Sequence, residues 1–184
     1  ISPVHLSDNA YGGTSMRDAN KGLTDLGREL IQEMNETGVL LDLAHASPQT
    51  FDEAIELTAY PPLVSHAGAR GVYDTWRNLT DSQIQAVTDR GGVIGVMFGP
   101  PGLSRPDLGE VVDHLEHIVS VGGEDTAALG SDFDGYIESP IDATGLIQLT
   151  ELMLREGWSE PRIRKILGEN VLRILGTRSQ DVEG

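Results

Sequence analysis

Gly38-Val39-Leu40-Leu41-Asp42-Leu43-Ala44-His45-Ala46-Ser47-Pro48 sets the pattern for the whole chain. Val39 to Ala44 is short, apolar and rich in Leu, which predicts a strand buried on both faces. Gly38 stops a preceding helix. Ser47 followed by Pro48 places a cap and an N1 proline before a further helix from Gln49 to Thr58. His45 is left at the junction, where a strand ends and a helix begins.

The same unit recurs on both sides of this stretch. Pro62 to Ser65, Gly92 to Phe98 and Thr126 to Ser131 read as strands, and Ile1 to His5 reads as a fifth. Helical segments lie between them: Thr24 to Thr37, a helix capped by Thr80 or Asp81 and ending near Gly91, and Glu110 to Val121. Thr144 to Glu156 and a single stretch from Glu160 to about Leu175 follow the last strand. Strand starts near 39, 62, 92 and 126 are 23, 30 and 34 residues apart, the spacing of βα units in a parallel sheet. A closed eight-stranded barrel typically takes about 250 residues. Two architectures therefore remain open, a complete open α/β sheet and the C-terminal part of a (β/α)8 barrel.

Composition narrows the partners. Thirteen basic against 29 acidic residues give a net charge of −16, which disfavours a nucleic-acid backbone or an anionic membrane as partner. Eleven of the basic residues are Arg and two are Lys. With no Cys, disulfides, thiolate zinc sites and Cys nucleophiles are excluded. No run approaches the roughly 18 apolar residues of a membrane span. The chain opens on Ile1 without a signal-peptide pattern, and a cytoplasmic setting is the expectation.

The polar residues gather at strand ends. His5 closes the first, His45 and His66 follow the next two, and Asp132 follows Gly130-Ser131. In parallel α/β folds those ends form the ligand-binding face. Neutral imidazole is a preferred zinc ligand, and carboxylates bridge metals or move protons. A lone histidine after a strand is commonly a hydrogen-bonded structural residue; three at successive strand ends point to a site. His114 and His117, an i, i+3 pair beside Leu115 and Ile118, read as packing residues of a helix, with a metal role as the weaker reading. Arg77, on the loop after His66, fits either bidentate recognition of a carboxylate or a surface position.

Asp132-Phe133-Asp134-Gly135 also resembles the nucleophile motif of haloacid-dehalogenase-like phosphatases. That family needs a small residue two positions after the second Asp and a downstream Lys and acidic pair. Here Tyr136-Ile137 occupy that region and about fifty residues follow. Gly-x-Ser-x-Gly and phosphate-loop motifs are both absent.

Taken together, the segments Gly22-Leu23-Thr24-Asp25-Leu26-Gly27, Gly38 to Ser47, Ser65-His66-Ala67 and Arg77-Asn78-Leu79 resemble the membrane dipeptidase (renal dipeptidase) family of zinc peptidases. Val112 to Ile118, Gly130 to Gly135 and Glu169-Asn170-Val171-Leu172-Arg173 continue in that family's order and spacing. The resemblance implies that residues 1–184 form one domain, the C-terminal part of a metal-dependent hydrolase barrel with about five of eight strands. It implies His45 and His66 as ligands of one zinc of a two-zinc centre. His5 is implied as the substrate-contacting histidine that stabilises the oxyanion, Arg77 as the grip on a substrate's C-terminal carboxylate, and Asp132 as the acid that handles protons and contacts substrate. The implied reaction is hydrolysis of dipeptides with a free C-terminal carboxylate through a metal-bridging hydroxide, in a homodimer. The family's His-x-Asp pair and bridging Glu, ligands of the other zinc, are not in this sequence. The expectation is therefore a chain that lacks the N-terminal barrel portion, binds zinc weakly and is inactive alone. The alternative is a non-catalytic barrel remnant that holds a peptide or amino acid through Arg77 and His5.

Overall fold

The computed structural model describes residues 1–176, so the last eight residues of the expected 1–184 domain lie outside the described residues. Three strands, β1 (Leu63–Ala67), β2 (Val93–Val96) and β3 (Ala127–Leu129), form a parallel sheet in the order β1-β2-β3. Helices α1 (Asp25–Thr37), α2 (Pro48–Leu57), α3 (Asp81–Asp89), α4 (Leu108–Gly122), α5 (Leu146–Arg155), α6 (Glu160–Arg164) and α7 (Asn170–Gly176) complete the order. The parallel α/β reading holds: β2 and β3 fall inside expected strand regions, and β1 overlaps a third but runs two residues past Ser65.

Helix boundaries follow local chemistry. Thr24 accepts from Gly27 N–H at the start of α1, and Gly38, with φ 66, closes it in the left-handed conformation. Ser47 caps α2 with Pro48 in its first turn, and Thr80 forms a capping box with Gln83 on α3. Asp107 caps α4. The helices turn apolar stripes inward, so Ile31, Phe51, Ile84 and Leu115 meet Val64 and Ile94 of the sheet in one core cluster.

Three expectations need correction. Val39 to Ala44 is not a full strand: it meets β1 through one isolated parallel bridge, Asp42 to Leu63. Its ladder stops because the Asp42 carboxylate accepts the Ser65 N–H at 2.9 Å, a donor that a regular ladder would give to a backbone carbonyl. Ile1 to His5 is not a strand either. Ile1 pairs beside Leu40 and Asp42 through its N–H and C=O, and the chain then leaves the sheet. The helix expected from Glu160 to Leu175 is broken. Between α6 and α7 the chain widens into a π-type segment, Lys165–Glu169, and Gly168 leaves helical geometry there. Asn170, buried at the kink, donates to the Glu124 and Ala127 carbonyls and ties α7 to β3.

β1 carries one residue more than β2 opposite it, since Val64 pairs with Ile94 and Ala67 with Val96. This bulge falls on Ser65 and His66, and such bulges re-aim side chains. The strands approach closely above it. A Cβ on Gly95 would fall within contact distance of the Ser65 carbonyl oxygen and 2.9 Å from Gly130 Cα. Gly95→Ala is expected to lower stability by about 1–3 kcal/mol through this overpacking. A urea midpoint unchanged from wild type would count against the close approach.

Candidate functional site

His5, His45, His66, Arg77 and Asp132 all line one cavity of about 580 Å³, together with the apolar side chains of Leu6, Met16, Trp76, Met97, Pro101 and Ile137. The strand-end residues singled out in the sequence therefore do converge. A second cavity of about 520 Å³ lies among α4, α5 and α6 and has no histidine in its lining. Arg162 occupies part of it, stacked 3.8 Å over the Trp158 ring and paired with Glu116.

Each polar residue reaches the first cavity by a distinct backbone device. At the end of the 39–44 run Ala46 N–H turns back to Leu43 C=O, and His45 adopts φ 67. His66 lies within β1, not after it, on the bulge. Asp132 follows β3 with φ 59, in a turn closed by Gly135 N–H to the Asp132 carbonyl. Its carboxylate lies directly over Gly135, where a Cβ would collide with Oδ1. Among the described residues, three non-glycine residues have positive φ, namely His45, Asp132 and Tyr136, and all three line this cavity. Strain of that kind, of order 1–3 kcal/mol per residue, clusters at functional sites. The Thr14 hydroxyl lies 2.5 Å from the His5 carbonyl and 3.1 Å from that of His45, so one loop holds both backbones.

The histidines face one another. His45 Nε2 and His66 Nε2 are 2.9 Å apart, and the His5 ring packs edge-on to His45 with centroids 4.5 Å apart. His66 Nδ1 lies 2.9 Å from Ser65 Oγ. His45, only 8% exposed, has its Nδ1 buried without a hydrogen-bond partner. Burial, then the Arg77 charge, then the neighbouring imidazoles push His45 down to about 3. His66 is lowered as well, by burial first and Arg77 next, with Asp132 and Asp42 opposing. Both rings are thus neutral at physiological pH, the form in which imidazole binds metals.

Two nitrogens on one tetrahedral ion with bonds of about 2.0–2.1 Å sit about 3.3 Å apart. The facing Nε2 pair therefore fits a shared ion with a small spreading of the rings. A catalytic zinc usually has three protein ligands. Among the described residues, no group of three or more His, Asp or Glu converges as an ion site. Asp132 is near enough to act electrostatically on His66 and Arg77 without joining the pair as a third ligand.

Arg77 is buried, 4% exposed, and its Nη2 donates to the His66 carbonyl. The surface reading of this residue is thereby removed. Burial pushes its guanidinium down to about 10, while Asp132 and Asp42 hold it up, so it remains a cation at neutral pH. Its loop is pinned by the Ala69–Leu79 bridge and by Asn78, whose amide donates to the Tyr73 and Gly102 carbonyls.

His114 and His117 lie apart from this cavity and have structural partners. His114, 0% exposed, accepts the Ala69 N–H on Nδ1 at 2.8 Å, and His117 Nε2 lies 2.7 Å from Asp81 Oδ1. His114 is pushed down to about 4, chiefly by burial, with Glu110 opposing. An unfolded histidine takes its proton near pH 6.5, so the unfolded chain binds more protons than the folded one below that value. Stability is expected to fall as pH drops from about 6.5 toward 4, by up to about 1.4 kcal/mol per pH unit for each of His45 and His114. Urea midpoints at pH 6.5, 5.5 and 4.5 measure this, and a flat series would contradict it.

Trp76 and Tyr136 line the cavity and Ser65 Oγ lies against His66, yet none stood out in the sequence, because the two aromatics sit on loops without a periodic signal and a single hydroxyl within a strand carries none. Asp42 did leave one: it is the single charged residue in the run from Val39 to Ala44.

Known proteins resemble this chain over most of its length. An uncharacterized dipeptidase of Schizosaccharomyces pombe is 34% identical over 184 residues, covering 95% of this chain and 45% of that protein. A crystal structure of a metallo peptidase from Rhodobacter sphaeroides, liganded with a phosphinate mimic of the dipeptide L-Ala-D-Ala, is 31% identical with a TM-score of 0.88, over 95% of this chain and 54% of that one. The solved dipeptidase AC, a metallo peptidase of family M19, is 35% identical with a TM-score of 0.79, over 84% of this chain and 48% of that one. The chain spans about half the length of these relatives. Among the described residues, no helix is long and apolar enough to cross a membrane. The phosphatase reading of Asp132 to Gly135 has no support among these relatives, which are peptidases. Residues 1–183 match the profile of Membrane dipeptidase (Peptidase family M19), and the chain belongs to that family of metal-dependent hydrolases.

Proposed function

We propose that this chain supplies half of a zinc-dependent dipeptidase site, completed by the part of the barrel that carries the other zinc ligands and a bridging Glu. The observation that carries the reading is the His45–His66 pair, two neutral imidazoles with facing Nε2 atoms 2.9 Å apart. They would hold one zinc of two. When bound, zinc supplies Lewis-acid polarisation of the scissile carbonyl and of water.

The chain's own residues do the rest. Arg77 offers a buried, forked cation to a free C-terminal carboxylate, which restricts substrates to short peptides whose carboxylate lies beside the reacting bond. Asp132, which with Asp134 is one of two acids lining the cavity, takes a proton from water and returns it to the leaving amine. The exposed His5 donates to the oxygen on which negative charge develops. Leu6, Met16, Trp76 and Met97 give the cavity an apolar wall, of which Met97 is buried and the other three are exposed. The ligand of the Rhodobacter relative, a phosphinate mimic of L-Ala-D-Ala, supports a dipeptide as substrate class. A homodimer of completed barrels, with neither nucleic acid nor membrane as partner, belongs to the same reading.

Dipeptide hydrolysis with added zinc tests it, using the 184-residue chain alone and co-expressed with the N-terminal half of a family M19 dipeptidase. No turnover alone and turnover on assembly is the expected outcome. Full turnover by the chain alone overturns the half-site. Absence of turnover in every assembled form, with dipeptide still bound, favours the non-catalytic binding protein instead.

A further inference from the structure

The geometry points to Asp42 as the positioning residue that sets the spacing of the His45–His66 pair, an inference that rests on reading that pair as metal ligands. One carboxylate oxygen, Oδ1, accepts both the Ala44 N–H at 3.0 Å and the Ser65 N–H at 2.9 Å. Each of these N–H groups belongs to the residue immediately before one of the two histidines. A single atom thus fixes the backbone on which both imidazoles stand.

The alternative that Asp42 displaces can be read from the ladder. Leu63 N–H bonds to Leu41 C=O and Leu43 N–H to Leu63 C=O, at 2.9 and 2.8 Å. Continued regularly, Ser65 N–H would bond to Leu43 C=O. That carbonyl instead accepts the Ala46 N–H, in the turn that carries His45 into its left-handed conformation. The bulge in β1 sits at the same level, on Ser65 and His66. With the Asp42 acceptor removed, the ladder can extend by another pair, which draws His45 out of its turn and changes the side to which it points. Two hydrogen bonds from separate backbone N–H groups to one fixed acceptor oxygen hold a local arrangement against a single competing ladder bond. Partners that orient metal ligands from behind typically change affinity about 10–100-fold when lost.

Copper(II) is the probe, because it binds imidazole more tightly than the other divalent first-row ions. The 184-residue chain and its variants are titrated with copper(II) and followed by electron paramagnetic resonance, which reads both affinity and nitrogen coupling. His66→Ala is expected to weaken binding and to remove one coupled nitrogen. Asp42→Ala is expected to weaken binding about 10–100-fold, and Asp42→Asn, which keeps an acceptor oxygen in place, to restore it. Asp42→Glu keeps the charge but moves the oxygen by one methylene, and should fall with the alanine variant. If Asp42→Ala fails to fold by circular dichroism, the contrast between Asn and Glu decides. Wild-type affinity in Asp42→Ala or in Asp42→Glu, with His66→Ala weakened, overturns the positioning role and leaves the pair intact. Loss in Asp42→Asn equal to that in Asp42→Ala assigns the effect to charge and also overturns it. His66→Ala binding as wild type overturns the pair itself.

Discussion

Arg77→Met is expected to raise the KM for dipeptides by about 10²–10⁴ in the assembled enzyme while kcat changes little. Two hydrogen bonds between a guanidinium and a carboxylate are worth about 1.5–3 kcal/mol each, and every 1.4 kcal/mol is tenfold. The substrate's terminal carboxylate does not change charge during peptide hydrolysis. Arg77 therefore binds ground state and transition state alike, and its loss falls on KM. Methionine fills the buried space that the arginine stem occupies. Lysine should recover only part of the loss, since a compact ammonium cannot reproduce the fork. Steady-state kinetics on a dipeptide and on the same compound amidated at its C-terminus measure the effect, and the amide should be insensitive to the substitution. A fall in kcat with KM unchanged would mean that Arg77 acts through the His66 carbonyl it holds, not on the substrate.

Asp132→Asn is expected to lower kcat by about 10²–10⁴, the range for loss of a general acid–base group, with KM close to wild type. The choice of asparagine matters. Asp132 has φ 59, a conformation that Asn tolerates well and alanine does not, so the amide removes the proton acceptor while the turn over Gly135 is kept. Thermal unfolding should be unchanged, which separates a chemical effect from a structural one. Asp132→Ala would confound the two. Activity within about threefold of wild type in Asp132→Asn would remove this residue from the proton path, because a positioned acid or base contributes far more than that.

These tests also separate what was legible early from what was not. The helix caps could be read one by one, because a cap is a local contract between a side chain and the next three N–H groups. Thr24, Ser47 and Thr80 each stand where their helices begin. The sequence predicts one long helix after Ser159, because the break at Gly168 arises where the chain packs against β3 and no local residue pattern distinguishes such a glycine from a tolerated one. Val39 to Ala44 reads as a full strand for a related reason. Apolar composition reports burial, and Leu40, Leu41 and Leu43 are indeed buried, but burial does not settle where the N–H groups find acceptors.

Sequence alone determined the alternation of parallel βα units, the family, and the identity of the five polar residues at the rim. Each of these depends on order, spacing or residue type along one dimension. Only the tertiary structure decided that the two imidazoles face at 2.9 Å, that Arg77 is buried against the His66 carbonyl, and that one Asp42 oxygen ties the 39–44 run to β1. Those facts join residues 11 to 23 positions apart. Hydrogen bonds and desolvation act through space, and their partners are chosen when the sheet assembles.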